Sequence, residues 1–345
     1  MKKVLIISPF YNGLFKYTRP LYEELCKSYK GKFEFKHLGN PDMTFEIDKI
    51  EKIVDKLCDE IIEYNPDIIH YNYGTYDIEM LIPYYLKKRN FKCYQILTYH
   101  SLQLDIFKKI NRFDYDKIVN DMMGEMDAYV FFTKYAKKIF EEKYNFKPKK
   151  YVIAYHPATH LETHISKKKT LEFDKEFGIK RDKPIATLLG YSSHWKDTVP
   201  VLKLVKKFPD VNFVVCGPWW KEKFIEENPN DDIDSFPNLI IINKELDSDE
   251  FNYAMDLGVG IFPYKYFQSF QGSGLLPNYM YRGINTLVND FGPMTEYRKK
   301  VVDFYDDKKL FAGFKKVISN MYVEKDLSFS YKIHAEKIVK LYMED

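Results

Sequence analysis

The residues able to do chemistry sit in short loops that each follow an apolar run. Gly190-Tyr191-Ser192-Ser193-His194-Trp195-Lys196 is one such loop. Gly190 lets the chain turn, and Lys196 can present an ammonium to a diphosphate and stabilise charge on a departing group; a lone surface lysine is the competing reading. Gln268 to Leu276 is a Gly/Ser loop opening a helical segment, and the amides and hydroxyls of Gln271, Gly272, Ser273 and Gly274 would form an anion site with a helix dipole behind it. No Gly-Lys-Ser/Thr follows, so this is not a P-loop. Thr98-Tyr99-His100 closes a strand, where a neutral imidazole either bonds a sugar hydroxyl or caps the next loop; His156, before Pro157, has the same two readings. Asn12-Gly13 follows the first strand and either meets a phosphate or sugar at a helix start or is a plain turn. Gly217-Pro218-Trp219-Trp220 approaches a nucleotide base or merely ends its strand.

Other chemistries drop out. No Cys/His group has metal-ligand spacing and no GxSxG elbow occurs. The 53 Lys+Arg against 50 Asp+Glu leave a net charge of +3, which implies no field for nucleic acid. Cys26, Cys58, Cys93 and Cys216 lack CxxC spacing and read as reduced thiols of a cytoplasmic protein. The apolar run Val4 to Ile7 is too short for a signal peptide, and nothing approaches the ~18 apolar residues of a spanning helix, so any membrane contact is peripheral.

These loops need a scaffold. At 345 residues the chain exceeds a single core, and two domains are expected. Short β-branched runs alternate with segments of helical period, the pattern of βα units around a parallel sheet. Strands are predicted at Val4 to Ser8, Phe33 to Leu38, Ile68 to Asn72, Tyr94 to Tyr99, Ala128 to Phe132 and Tyr151 to Ala154, with helices at Thr18 to Tyr29, Ile47 to Tyr64, Ile78 to Lys88 and Lys134 to Tyr144. A polar stretch, Thr159 to Lys183, then reads as a linker. Strands resume at Ile185 to Leu189, Asn212 to Cys216, Leu239 to Ile242, Val259 to Phe262 and Thr286 to Asn289, and Ser328 to Met343 has the spacing of an amphipathic helix. The boundaries expected are 1–160, a linker 161–183, 184–327, and a terminal helix 328–345 crossing back to the first domain. The fold class is α/β, with two doubly wound Rossmann-like domains facing a central cleft where such sheets bind ligands.

In order and spacing these landmarks resemble the family 4 retaining glycosyltransferases of the GT-B fold, over essentially the full length. Asn12-Gly13 resembles the family's acceptor-side glycine loop, Pro66-Asp67-Ile68-Ile69-His70 its PDhhH strand, and Thr98-Tyr99-His100 its T-x-H. Met126 to Val130 resembles its ADAhh strand, Gly190 to Lys196 its GR…KG spacing, Asn212 to Gly217 its hxhhG, and Phe329-Ser330-Tyr331 its FSW helix. The resemblance implies a hexosyltransferase of glycan biosynthesis that binds a nucleotide sugar in its second domain, retains the anomeric configuration, and needs no metal or cofactor. The donor substrate would be a UDP- or GDP-sugar and the acceptor a glycan, a lipid-linked molecule or a protein. His100 and Lys196 would be catalytic, and Asn12, Gly13, Gly190, Tyr191, Ser192, Gly217, Gln271, Gly272, Ser273, Gly274 and Asn278 would hold the donor. The chain departs from the pattern in two places. The family's diphosphate arginine falls on Tyr191, and its paired glutamates fall near Phe270 and on Asn278, with Glu296 either a substitute carboxylate or a surface residue. A degenerate sugar-nucleotide binder or partner subunit, and a sugar-nucleotide epimerase, are the alternatives. Phe107 to Phe113 mixes bases and aromatics and either reaches anionic lipid or is a solvated helix.

Overall fold

The computed structural model describes residues 1–10, 12–41, 47–73, 78–100, 118, 121–159, 166–265, 272–297 and 301–344, with backbone alone at 12, 13, 47 and 48. The chain divides into two compact units: Met1–Pro157 with Gln268–Gly272 and Ser330–Asp345, and Ala158–Phe267 with Ser273–Phe329.

In the first unit β1 (Lys2–Ile7), α1 (Asn12–Ser28), β2 (Phe33–Leu38), α2 (Ile47–Tyr64), β3 (Ile68–Tyr73), α3 (Ile82–Lys88), β4 (Tyr94–Tyr99), β5 (Ala128–Phe131), α4 (Lys134–Tyr144) and β6 (Tyr151–Ile153) alternate. The strands pair in parallel in the order β2-β1-β3-β4-β5-β6. The second unit carries α5 (Lys167–Glu176), β7 (Ile185–Leu189), α6 (Val199–Lys207), β8 (Asn212–Cys216), α7 (Trp220–Glu227), β9 (Leu239–Ile242), α8 (Ser248–Asp256), β10 (Val259–Phe262), α9 (Leu276–Arg282), β11 (Thr286–Val288), α10 (Met294–Tyr297) and α11 (Asp307–Ile318). Its parallel order is β11-β10-β7-β8-β9. The closing helix α12 (Tyr331–Met343) belongs to the first unit.

Strand periodicity divides each core by face. In the first unit Leu5, Ile7, Ile69, Tyr71 and Tyr73 point to one apolar cluster, while Val4, Ile6 and Ile68 join Tyr17 and Leu21 of α1 and Ile338 and Tyr342 of α12 on the other. Strand order reverses between β1 and β3 in the first sheet and between β7 and β10 in the second. The crevice outside the carboxyl ends of such strands is where open α/β sheets take ligands.

Two local expectations change. The first helix starts at Asn12 rather than Thr18 and runs through Pro20. A proline lacks the N–H that would bond the carbonyl four residues back. Here the Tyr331 hydroxyl lies 3.5 Å from Lys16 O and 3.2 Å from Tyr17 O, so α12 supplies a donor where the helix lacks one. The polar stretch read as linker contains α5. Phe173 anchors it by packing on Phe177 and Tyr253, and Lys169 pairs with Asp249 at 2.9 Å. No described helix is long and apolar enough to cross a membrane.

Candidate functional site

The second unit gathers its chemistry at the carboxyl ends of β7 and β8. Gly190 ends β7 with φ 86°, and Gly217 ends β8 with φ 141°, backbone conformations that disfavour any side chain. A Cβ on Gly217 would lie 2.2 Å from Gly190 O, so the two loops touch backbone to backbone only because position 217 is glycine. Trp220 locks the pair from below: its indole is fully buried and donates to Gly190 O at 2.7 Å.

Lys196 lies in the same place, 6% exposed. Its amine is 5.2 Å from the centre of the Trp220 ring, donates to Leu189 O at 2.8 Å, and would sit 3.3 Å from a Cβ at Gly190. An ammonium taken out of water and given so little compensation is costly. Burial, aided by the neighbouring charge of Lys223, accordingly pulls Lys196 down to about 7. The loop that carries it is stitched to the end of β10. Lys196 pairs with Tyr264, Lys265 N donates to Trp195 O at 2.6 Å, and Asp197 N donates to Pro263 O at 2.7 Å. Glu227 completes the brace by accepting from the Thr198 amide and hydroxyl and from Lys223 and Lys265. Although its partial burial acts in the other direction, these donors hold its carboxyl down at about 2.

The remaining donor-side expectations fare unequally. Tyr191 is half exposed, and its hydroxyl donates to Glu245 at 2.6 Å. Ser192 is half-buried beside it. Gln271 lies outside the described residues, as does the segment Phe107 to Phe113. Gly272 has φ 147°. Ser273 was expected to offer its hydroxyl to an anion, but it is 2% exposed and caps α9 instead, accepting from the amides of Leu275 and Leu276 at 3.2 and 3.1 Å and pairing with Tyr264. Gly274 O accepts from the buried Asn278 amide at 2.8 Å. The Gly/Ser loop thus spends much of its polar capacity on its own helix. Glu296 is half-buried in the first turn of α10. Among the described residues no group of three His, Cys, Asp or Glu is placed to hold a metal ion.

In the first unit, Asn12 and Gly13 form the first turn of α1. His100 lies at the end of β4, 8% exposed, with its Nε2 3.4 Å from Asn72 Oδ1 and its ring edge-on to Tyr17 and Phe132 at 5.1 Å. Burial holds its imidazole well below the usual histidine range, so it is neutral near pH 7. Two further buried histidines, His70 and His334, and the half-buried His156 also lie in this unit. His70 bridges Tyr342 (2.6 Å) and Thr98 (2.7 Å), His334 bridges Tyr17 (2.7 Å) and Tyr155 O (2.9 Å), and His156 pairs with Pro157 O (2.8 Å).

Sequence reasoning missed Glu227, Glu245, and the role of Trp220 as a brace. A glutamate near the end of a charged helix and another in a polar loop carry no local signal. Trp220 could have been suspected from the Gly-Pro-Trp-Trp run that follows a strand.

No family model matches the chain, and no curated protein does. Solved structures do share its fold along the whole length. A glycosyltransferase from Rickettsia africae ESF-5 superposes with a TM-score of 0.72 at 14% identity, covering 99% of this chain and 98% of that one. A sucrose-phosphate synthase from Thermosynechococcus elongatus gives 0.69 at 13% identity, covering 100% and 99%. The UDP-GlcNAc 2-epimerase from Neisseria meningitidis bound to UDP-GlcNAc gives 0.63 at 12%, covering 99% and 100%. At these identities the likeness defines the fold, which is the two-domain GT-B fold of the glycosyltransferases.

Proposed function

We propose that this protein is a glycosyltransferase that takes its sugar from a nucleoside diphosphate sugar, with the donor's diphosphate held in the second unit. The observation that carries this reading is Lys196: a buried amine pulled down to about 7, beside two glycines whose lack of side chains lets the carboxyl ends of β7 and β8 meet. Leu189 O and the Trp220 ring compensate that amine only in part, whereas an arriving diphosphate would supply the missing counter-charge and favour the ammonium. As the bond from the anomeric carbon to the diphosphate breaks and the acceptor oxygen joins that carbon, the acceptor hydroxyl's proton passes to the departing diphosphate and the ammonium stabilises the charge that remains on it. Gly190, Tyr191, Ser192 and Gly217 line this cradle; Trp220 and Glu227 position it. His100, neutral and at a strand end, is assigned to a sugar hydroxyl as donor or acceptor, a role its low pKa suits better than that of an acid. Net retention and independence of a metal follow from the resemblance to family 4. The similarity in fold to enzymes named as glycosyltransferases supports the class.

The test is turnover. A panel of UDP-, GDP- and ADP-sugars is incubated with the full chain, with and without simple glycoside acceptors, and liberated nucleoside diphosphate is measured. Release that is lost in Lys196→Met supports the reading. Absence of both turnover and nucleotide binding contradicts it. Binding without turnover leaves a non-catalytic binder, and conversion of the donor to an isomeric sugar nucleotide would make the protein an epimerase.

A further inference from the structure

Beside the cradle, three neighbouring strands each end in a loop carrying one exposed residue of the kind that reads a nucleobase. Tyr191 follows β7, Trp219 follows β8 and Glu245 follows β9, and these strands are adjacent in the sheet. The Tyr191 and Trp219 rings lie 6.1 Å apart, inclined by 33°, and are 49% and 62% exposed. Trp220, one residue on, is fully buried, whereas Trp219 stays outside the core. Trp219 also sits at φ 61° and ψ 19°, a left-handed conformation that is an outlier for a bulky residue and has to be imposed by its surroundings. The imposing contacts are visible: Trp220 N donates to Asn243 Oδ1 at 2.7 Å, and Gly217 fixes the preceding turn against Gly190. The strain and the exposure fall on the same side chain, which points to a ligand that stacks on it.

Glu245 defines which ligand. Its Oε1 accepts from the Tyr191 hydroxyl at 2.6 Å, which anchors the carboxylate at the edge of the aromatic pair and leaves its other lone pairs available. A carboxylate accepts only. Guanine alone among the common bases presents two adjacent donors, N1–H and the N2 amino group, on one edge. Adenine and cytosine each offer one amino group next to an acceptor, and uracil offers one N–H between two carbonyls that a carboxylate repels. We infer that Tyr191, Trp219 and Glu245 form the base-recognition site of the donor and select guanine, so that the sugar is carried on GDP; this rests on the nucleotide-sugar reading above.

The full chain and the variants Glu245→Gln and Trp219→Ala are titrated calorimetrically with GDP, inosine diphosphate, UDP and ADP, with circular dichroism confirming that each variant is folded. Inosine diphosphate lacks only the N2 amino group. The expected result is that GDP binds roughly tenfold or more tightly than inosine diphosphate, and more tightly than UDP or ADP, as loss of a hydrogen bond to a charged group implies. Glu245→Gln then removes the difference between GDP and inosine diphosphate, and Trp219→Ala weakens both by roughly tenfold through lost stacking. UDP or ADP binding as tightly as GDP, or a GDP preference that survives Glu245→Gln, overturns the guanine assignment while leaving the nucleotide reading intact. No binding by any of the four overturns both.

Discussion

The two units end their central strands in opposite ways. In the first, two buried histidines are bonded through both ring nitrogens, His70 to Thr98 and Tyr342 and His334 to Tyr17 and Tyr155 O, while Asn72 beside His100 keeps an unpartnered Nδ2. In the second, a buried amine holds Leu189 O with no counter-charge, and a tryptophan is forced into a strained, exposed pose. The histidine bonds of the first arrangement tie α12 to the sheet. The second is incomplete in its charge and its stacking, and an anion with a base attached would complete it. Satisfied polar clusters specify structure, and under-satisfied ones mark function.

The contrast can be broken first with acid. Burial lowers His70 to about 3 and His37 and His156 to about 4, against 6.5 for the ordinary group, all three in the first unit. Between those values the unfolded chain binds the extra protons, so stability falls as pH drops from about 6.5 toward 4, and each of His37 and His156 contributes a loss of roughly 3 kcal/mol by the lower limit. All three tryptophans, Trp195, Trp219 and Trp220, lie in the second unit. In an acid titration the helical circular dichroism should therefore begin to fall before tryptophan fluorescence changes; coincident transitions would show that the histidine network does not set the acid limit.

Next in size is Trp220→Ala. Removing a fully buried indole should cost about 3–5 kcal/mol in denaturant unfolding, and it should also abolish nucleotide binding in the fraction that stays folded, because Gly190 O and Lys196 lose their support. Intact binding would detach the cradle from its brace. Raising the pH offers a milder perturbation. Lys196 must be protonated to serve a diphosphate, so nucleoside diphosphate affinity should be level below pH 7 and fall above it, with calorimetry in buffers of different ionisation heat registering proton uptake on binding above pH 7. An affinity independent of pH from 6 to 9 would remove Lys196 from the site. The smallest effect belongs to the first unit: Tyr331→Phe should cost about 1 kcal/mol by leaving the Lys16 and Tyr17 carbonyls without that donor. A null result would mean the break at Pro20 needs no partner.

The scaffold was legible because parallel strands buried on both faces are written as apolar runs, and β3, β7 and β8 each stand close to where those runs predict. α5 was hidden because only Phe173 among its residues is a buried apolar anchor, and the start of α1 was hidden by Pro20. Lys196 could be singled out by its distance from Gly190, but its burial could not. That depends on Trp220, 24 residues on, folding beneath it. The use of Ser273 as a cap was equally invisible, since a Gly/Ser loop opening a helix reads the same whether its hydroxyl serves a ligand or the helix itself. Glu245 acquires meaning only when β7, β8 and β9 lie side by side.

The most direct test of the contrast is calorimetric titration of nucleoside diphosphates at pH 6.5 into the wild-type chain and into Lys196→Met. We expect wild-type binding to weaken by roughly 30-fold or more in the variant, while thermal stability holds or rises because a buried amine has been replaced by an apolar side chain of similar length. Equal affinity in the two proteins, or no binding by either, would contradict the account.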